Sequence, residues 1–223
     1  MQRWRNIALV RSTTRRKYAP RLPREQRREQ LLDAGLDVLA GCQLQELSIE
    51  AVAASAGIGK PVVYTAFGSR TELVEALLRR EHERGLAQVR DAMPDDLTKL
   101  GPTGAYAATV SAFLRAVLEN PTRWRLILTV PDSAPREYRD SLRAARSTIL
   151  AQAEQLANAG AALRPQLAKV DPALVGHTML SFAEMLGRLA ITDPETYPRE
   201  RLEQFATDAM ALLGGYQSHI GDS

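Results

Sequence analysis

The sequence holds one cysteine, Cys42, among 223 residues. One cysteine closes no disulfide within the chain and supplies no Cys-based zinc motif. It fits a reducing compartment. Histidine is nearly as scarce: His82, His177 and His219 stand far apart, with no His-x-x-x-His or Glu-x-x-His spacing for a metal. Cys42 paired with a remote histidine would need a surrounding nucleophile motif, and none is there. Aromatic residues are only 5% of the chain, and no strand-like alternation of apolar and polar residues persists. No apolar run is long enough to span a bilayer, and Ile7-Ala8-Leu9-Val10 is too short for a signal-peptide core. The expectation is a cytoplasmic protein that is not an enzyme, needs no metal or cofactor and does not enter a membrane.

What is present begins with charge. The chain totals +3, but residues 1–28 hold ten basic side chains against the single acid Glu25. That stretch therefore carries +9 and the remaining 195 residues carry −6. A basic head on a mildly acidic body suits a polyanion at one end; a solvated tail is the plainer alternative. Residues 1–22 read as a disordered extension.

Helical spacing then dominates. A first helix is predicted over about 24–40, with Leu31, Leu32, Gly35, Leu36, Val38 and Leu39 forming a broad apolar stripe. Ser48 caps a second helix, whose Ile49, Val52, Ala53 and Ala56 fall at i, i+3, i+4 and i+7. It stops at Gly57, and a short third helix covers about 60–67, with Pro61 in its first turn. Ser69-Arg70-Thr71-Glu72 is a capping box that opens a long helix to about Asp91. Residues 93–104 read as a linker, and five more helical segments follow, near 105–118, 122–130, 133–160, 172–191 and 198–213. The fold class is all-α, with about nine helices in two parts.

The stretch Gly57-Ile58-Gly59-Lys60-Pro61 decides between two chemistries. A phosphate-binding P-loop needs a glycine five residues before Gly59 and a hydroxyl after the lysine. Here Ala54 and Pro61 stand at those positions, and a helix precedes them rather than a strand. The other reading is a helix-turn-helix. Gly57 takes the left-handed turn at no steric cost, while Val63 and Phe67, four apart, face inward. Lys60, Pro61, Tyr64 and Thr65 are then left for phosphates and base edges in a major groove. Arg70, in the first turn of the next helix, is expected to reach a flanking phosphate.

These residues carry a family resemblance. From Arg28 to about Leu78 the chain resembles the DNA-binding domain of the TetR family of transcriptional repressors. The matching residues are Leu31-Leu32-Asp33-Ala34, Ser48-Ile49-Glu50-Ala51-Val52-Ala53, Ala56-Gly57-Ile58-Gly59-Lys60, Val63-Tyr64-x-x-Phe67 and Ser69-Arg70-Thr71-Glu72-Leu73. The resemblance implies an N-terminal three-helix DNA-binding domain at 23–70 and a helical ligand-binding and dimerisation domain at 71–223, with helix 69–91 connecting them. The DNA contacts it implies are Ser48, Gly59, Lys60, Pro61, Val62, Tyr64, Thr65, Arg70, Arg27 and Arg28. Ala66 departs from the histidine or tyrosine often found before the phenylalanine, and the basic extension is longer than usual. That extension is expected to act as a minor-groove arm.

The resemblance also implies partners: a palindromic operator in double-stranded DNA, a second copy of the chain, and a largely apolar small-molecule effector that releases the DNA. The dimer interface is expected on the last two helices, through Leu174, Leu180, Leu186, Leu202, Phe205, Ala209, Met210 and Leu213. The effector pocket is expected among Tyr106, Phe113, Trp124, Leu128, Tyr138, His177, Met179, Phe182, Glu184 and Met185. Such side chains suit an adaptable apolar site, and they suit a plain core as well. An alternative function class is a small-molecule binding or interaction protein that keeps the fold and reads no specific operator.

Overall fold

The computed structural model describes residues 22–93, 96–129, 134–163 and 170–215. Among them are nine α-helices, two short 3-10 turns and no strand. The helices are α1 (Arg24–Leu39), α2 (Ile49–Ser55), α3 (Lys60–Ala66), α4 (Arg70–Asp91), α5 (Gly101–Glu119), α6 (Pro121–Leu128), α7 (Arg136–Leu163), α8 (Pro172–Thr192) and α9 (Arg199–Gly215). The basic extension (residues 1–21) and His219 lie outside the described residues, as do the side chains of Met210 and Leu213.

Local chemistry sets the helix ends. The Ser48 hydroxyl accepts a hydrogen bond from the Ala51 amide at 3.1 Å and so starts α2. Gly57, with φ +66°, turns the chain between α2 and α3. The Ser69 hydroxyl accepts from the Glu72 amide at 3.1 Å and starts α4. The Glu72 carboxylate does not close the box on Ser69; it reaches one residue further and accepts from the Gly68 amide at 2.9 Å. That bond, helped by Arg28, holds the Glu72 carboxyl below its usual range. One boundary differs from expectation. α5 begins at Gly101, inside the stretch read as a linker, because Pro102 sits in its first turn, where no amide hydrogen is needed.

Two cores organise the molecule. The first joins α1 to α4 through Leu31, Leu39, Leu47, Val52, Val63, Phe67, Leu73 and Leu77, and it takes in Leu126 of α6 and Ala134 and Tyr138 beside and on α7. The second gathers Val110, Leu114 and Val117 of α5 with Trp124, Leu186, Ala190, Leu202 and Ala206. Here α5 packs against α8 and α9, while α7 runs along α8. Gly187 makes this packing possible: a Cβ there would stand 2.7 Å from the Phe113 ring and 2.9 Å from Leu128 Cδ1.

Between the cores lies a network of charges. Glu81 of α4 is fully buried. One of its oxygens accepts from Arg80 Nε at 2.8 Å, the other from Arg123 Nε of α6 at 2.7 Å. Arg80 also pairs with Asp33 at 2.8 Å and Glu29 at 3.1 Å, and Arg84 with Glu29 at 2.8 Å, so α1 joins the network. Arg123 donates a second bond to Gln88, at 3.0 Å. Nearby, Arg125 of α6 donates to the Leu39 carbonyl at the end of α1. His82, buried on α4 with its ring edge-on to Tyr138 at 6.3 Å, has its pKa lowered by that burial, against the opposing pull of Glu83.

Candidate nucleic-acid interface

α3 is held from beneath. Val63, Ala66 and Phe67 are buried against α1, α2 and α4. The Arg28 guanidinium lies 4.1 Å above the centre of the Phe67 ring. It donates to the Ala66 carbonyl and pairs with Glu72 at 3.4 Å. Ala66 thus points into the fold.

The opposite side of α3 is open. Pro61 and Thr65, one turn apart, are both exposed. Val62 (39% exposed) and Tyr64 (52% exposed) flank them. The Thr65 hydroxyl donates back to the Pro61 carbonyl at 2.8 Å. At the start of the helix, Lys60 Nζ sits 2.6 Å from Glu50 of α2, with both side chains exposed. The hydrogen bond from Lys60, together with its charge, holds the Glu50 carboxyl below its usual range. Sequence reasoning missed this partner, because ten residues separate the two and only the turn at Gly57 brings them together.

Four expected DNA contacts are otherwise engaged. Arg70, an exposed residue, bends back over the preceding loop: its Nε donates to the Leu47 carbonyl at 2.5 Å, and its Nη2 donates to the carbonyls of Leu44 at 2.7 Å and Gln45 at 3.2 Å. The fork that suits a phosphate thus closes the loop between α1 and α2. Arg28 is committed to Phe67, Ala66 and Glu72, and the Ser48 hydroxyl to its cap. Arg27 is half-buried and donates to Gln30 at 2.5 Å. Gly59, Lys60, Pro61, Val62, Tyr64 and Thr65 remain together on one exposed surface.

Arg70→Ala is therefore expected to destabilise the protein by about 1–2 kcal/mol, since the carbonyls of Leu47 and Gln45 lose their charged donor while Leu44 keeps the Leu47 amide. A thermal unfolding curve reads this directly. An unmoved midpoint with weakened DNA binding would instead make Arg70 a phosphate contact.

The expected pocket residues do not gather around one space. Tyr138 belongs to the first core, its hydroxyl donating to the Leu126 carbonyl at 3.2 Å. Tyr106 donates to the Met179 carbonyl at 2.9 Å, and burial raises the pKa of both phenols. Phe113 meets Trp124 edge-on at 5.1 Å, and both pack in the second core with Leu128, Met179 and Phe182. The Glu184 carboxylate pairs with Arg146 of α7. Only His177, Phe182 and Met185 share a hollow, an open one of about 430 Å³ on α8 with Thr178 and Ser181.

The expected interface residues also divide. Leu186 and Leu202 are buried within their own protomer, in the second core, and so present nothing to a second copy. Leu174 (63% exposed) and Phe205 (50% exposed) lie open, and Leu180 and Ala209 are half-buried. Phe182 packs on Phe205 with ring centres 5.5 Å apart.

The family model for bacterial regulatory proteins of the tetR family matches residues 31–77, the span from α1 to α4 that builds and holds the α3 surface. Residues 31–77 are thus similar to the DNA-binding domain of the TetR family. Over 107 residues the chain is 34% identical to the HTH-type transcriptional activator FasR of Mycolicibacterium smegmatis. That alignment spans 48% of each chain, about half the length of the curated relative. A TetR-like transcriptional regulator from Rhodococcus sp. RHA1 superposes with a TM-score of 0.70 at 23% identity, covering 87% of this chain and all of that one. A Clostridium perfringens protein provisionally assigned as a fatty acid metabolism regulator gives 0.61 at 14% identity, covering 81% and 96%. At these identities the solved structures establish the TetR fold.

Proposed function

We propose that this chain is a transcriptional regulator that binds double-stranded DNA as a homodimer, at a near-palindromic operator, under the control of a small molecule. The observation that carries the reading is α3: a short helix clamped from below by Phe67 and Arg28, with its outer surface of Lys60, Pro61, Val62, Tyr64 and Thr65 exposed. A rigid helix exposed in this way fits a major groove, and two of them fit successive grooves of a two-fold operator. The dimer is supported by the open apolar side chains Leu174, Met185 and Phe205 on α8 and α9. The domain division, with α4 connecting reader and effector parts, goes with this reading. The effector is a largely apolar molecule, in keeping with the side chains of α5, α6 and α8. The regulator named FasR is an activator, and repression is the sign implied by the family resemblance; a reporter assay on the operator separates them.

A second reading, a binding protein without an operator, draws support from the engagement of Lys60, Arg28 and Arg70 within the fold. Selection from random duplexes at moderate salt decides between them. An enriched palindrome supports the regulator, and salt-labile binding without enrichment supports the second reading. On the enriched duplex, Lys60→Ala is expected to weaken binding across sequences and to lower the salt slope by about one. Tyr64→Ala is expected to weaken binding about ten-fold or more without shifting the unfolding midpoint. Wild-type affinity in both variants would remove α3 from the interface.

A further inference from the structure

We infer that α3 reads its half-site through the C5-methyl groups of thymines. The inference rests on the DNA-binding reading above and adds what the reader recognises. The major groove is usually decoded by bidentate side chains: arginine or lysine on guanine, asparagine or glutamine on adenine, and aspartate or glutamate on cytosine. Of these, α3, whose sequence is KPVVYTA, carries Lys60 alone. The polar groups it does carry are largely engaged. Lys60 Nζ is bound to Glu50 at 2.6 Å, and the Thr65 hydroxyl gives its proton to the Pro61 carbonyl at 2.8 Å. Tyr64 retains a single hydroxyl. The nearby arginines are held by backbone carbonyls, Arg28 by Ala66 and Arg70 by Leu44 and Leu47.

What α3 offers instead is apolar surface. Pro61 and Thr65 stand at the centre of the exposed side, with Val62 beside them. Val63 and Ala66 lie directly opposite and are buried, so this register is fixed by the core. A pyrrolidine ring, a threonine methyl and a valine are the groups that make apolar contact with the thymine methyl, the one apolar feature of the major-groove edge.

The experiment uses the wild-type protein and the duplex enriched by selection. Each thymine is replaced in turn by deoxyuridine, which removes the methyl group and keeps base pairing. Two or more positions per half-site are expected to lose about four-fold in affinity when replaced, the effect of leaving one methyl's worth of apolar surface unburied. Replacement in both half-sites together is expected to lose about fifteen-fold. In Val62→Ala the loss at one of these positions is expected to disappear while the others persist. Tight, sequence-specific binding that tolerates deoxyuridine at every position within two-fold overturns the inference and leaves the regulator reading intact. A deoxyuridine loss that is unchanged in Val62→Ala and in Thr65→Ser reports duplex shape instead, and also overturns it. No enrichment of any duplex removes the DNA-binding reading, and this inference with it.

Discussion

Glu81→Ala is expected to destabilise the protein by about 3–5 kcal/mol, the range seen when one partner of a buried ion pair is removed. The carboxylate is fully buried and takes charged hydrogen bonds from two helices. Without it Arg80 keeps Glu29 and Asp33, but Arg123 keeps only the neutral Gln88. The unpaired charge therefore falls mainly on α6. Glu81→Gln preserves shape and loses the charge, so it too is expected to unfold earlier, by less. Arg123→Leu with Glu81→Leu removes both charges at once, and its cost is expected to fall below the sum of the single changes, since the two residues touch. Urea unfolding followed by helical signal measures these variants and the two single leucine changes. A Glu81→Ala midpoint at the wild-type value would mean that solvent reaches this site.

Phe67→Ala is expected to cost about 3–5 kcal/mol, the range for emptying a buried aromatic site. The ring is fully buried, closes the core between α3 and α4, and carries the Arg28 guanidinium on its face. A native domain has only about 5–15 kcal/mol in hand, so this loss consumes a large share of it. Specific DNA binding is expected to fail at temperatures the wild type tolerates. Phe67→Leu keeps most of the volume and is expected to cost below about 1.5 kcal/mol, with binding retained. Thermal unfolding of the two variants side by side tests this, and equal midpoints would deny the ring its role.

The readable part of this molecule is the part decided by neighbours in sequence. The caps at Ser48 and Ser69, the turn at Gly57 and the inward spacing of Val63 and Phe67 are each fixed within a few residues. The pairs that give side chains their tasks are not local. Arg70 finds carbonyls more than twenty residues away, and Arg28 finds Glu72 at a separation of 44. An arginine beside a reading helix looks the same in sequence whether it faces phosphate or its own backbone. The same holds for Leu186 and Leu202, whose apolar character serves an interface and a core equally; only the approach of α5 settles it. Tyr138 groups with the pocket aromatics by chemistry, yet α7 carries it to the other core. Proline and glycine at 101–104 read as a break, although a helix accepts both in its opening turn.

The first core has a bearing on how such proteins can be taken apart. Its sides are α1 to α4, but Leu126, Ala134 and Tyr138 contribute from α6 and from beside and within α7. Residues 23–70 grafted onto the body of a TetR-family protein would arrive without those three and without Leu73 and Leu77 of α4. The recipient would have to supply side chains of matching shape, and a donor for the Leu39 carbonyl, or the graft would sit over a gap. An interchangeable head for building new regulators is therefore defined by a sealed set of side chains rather than by a cut in the chain, and that set extends into the helices of the body.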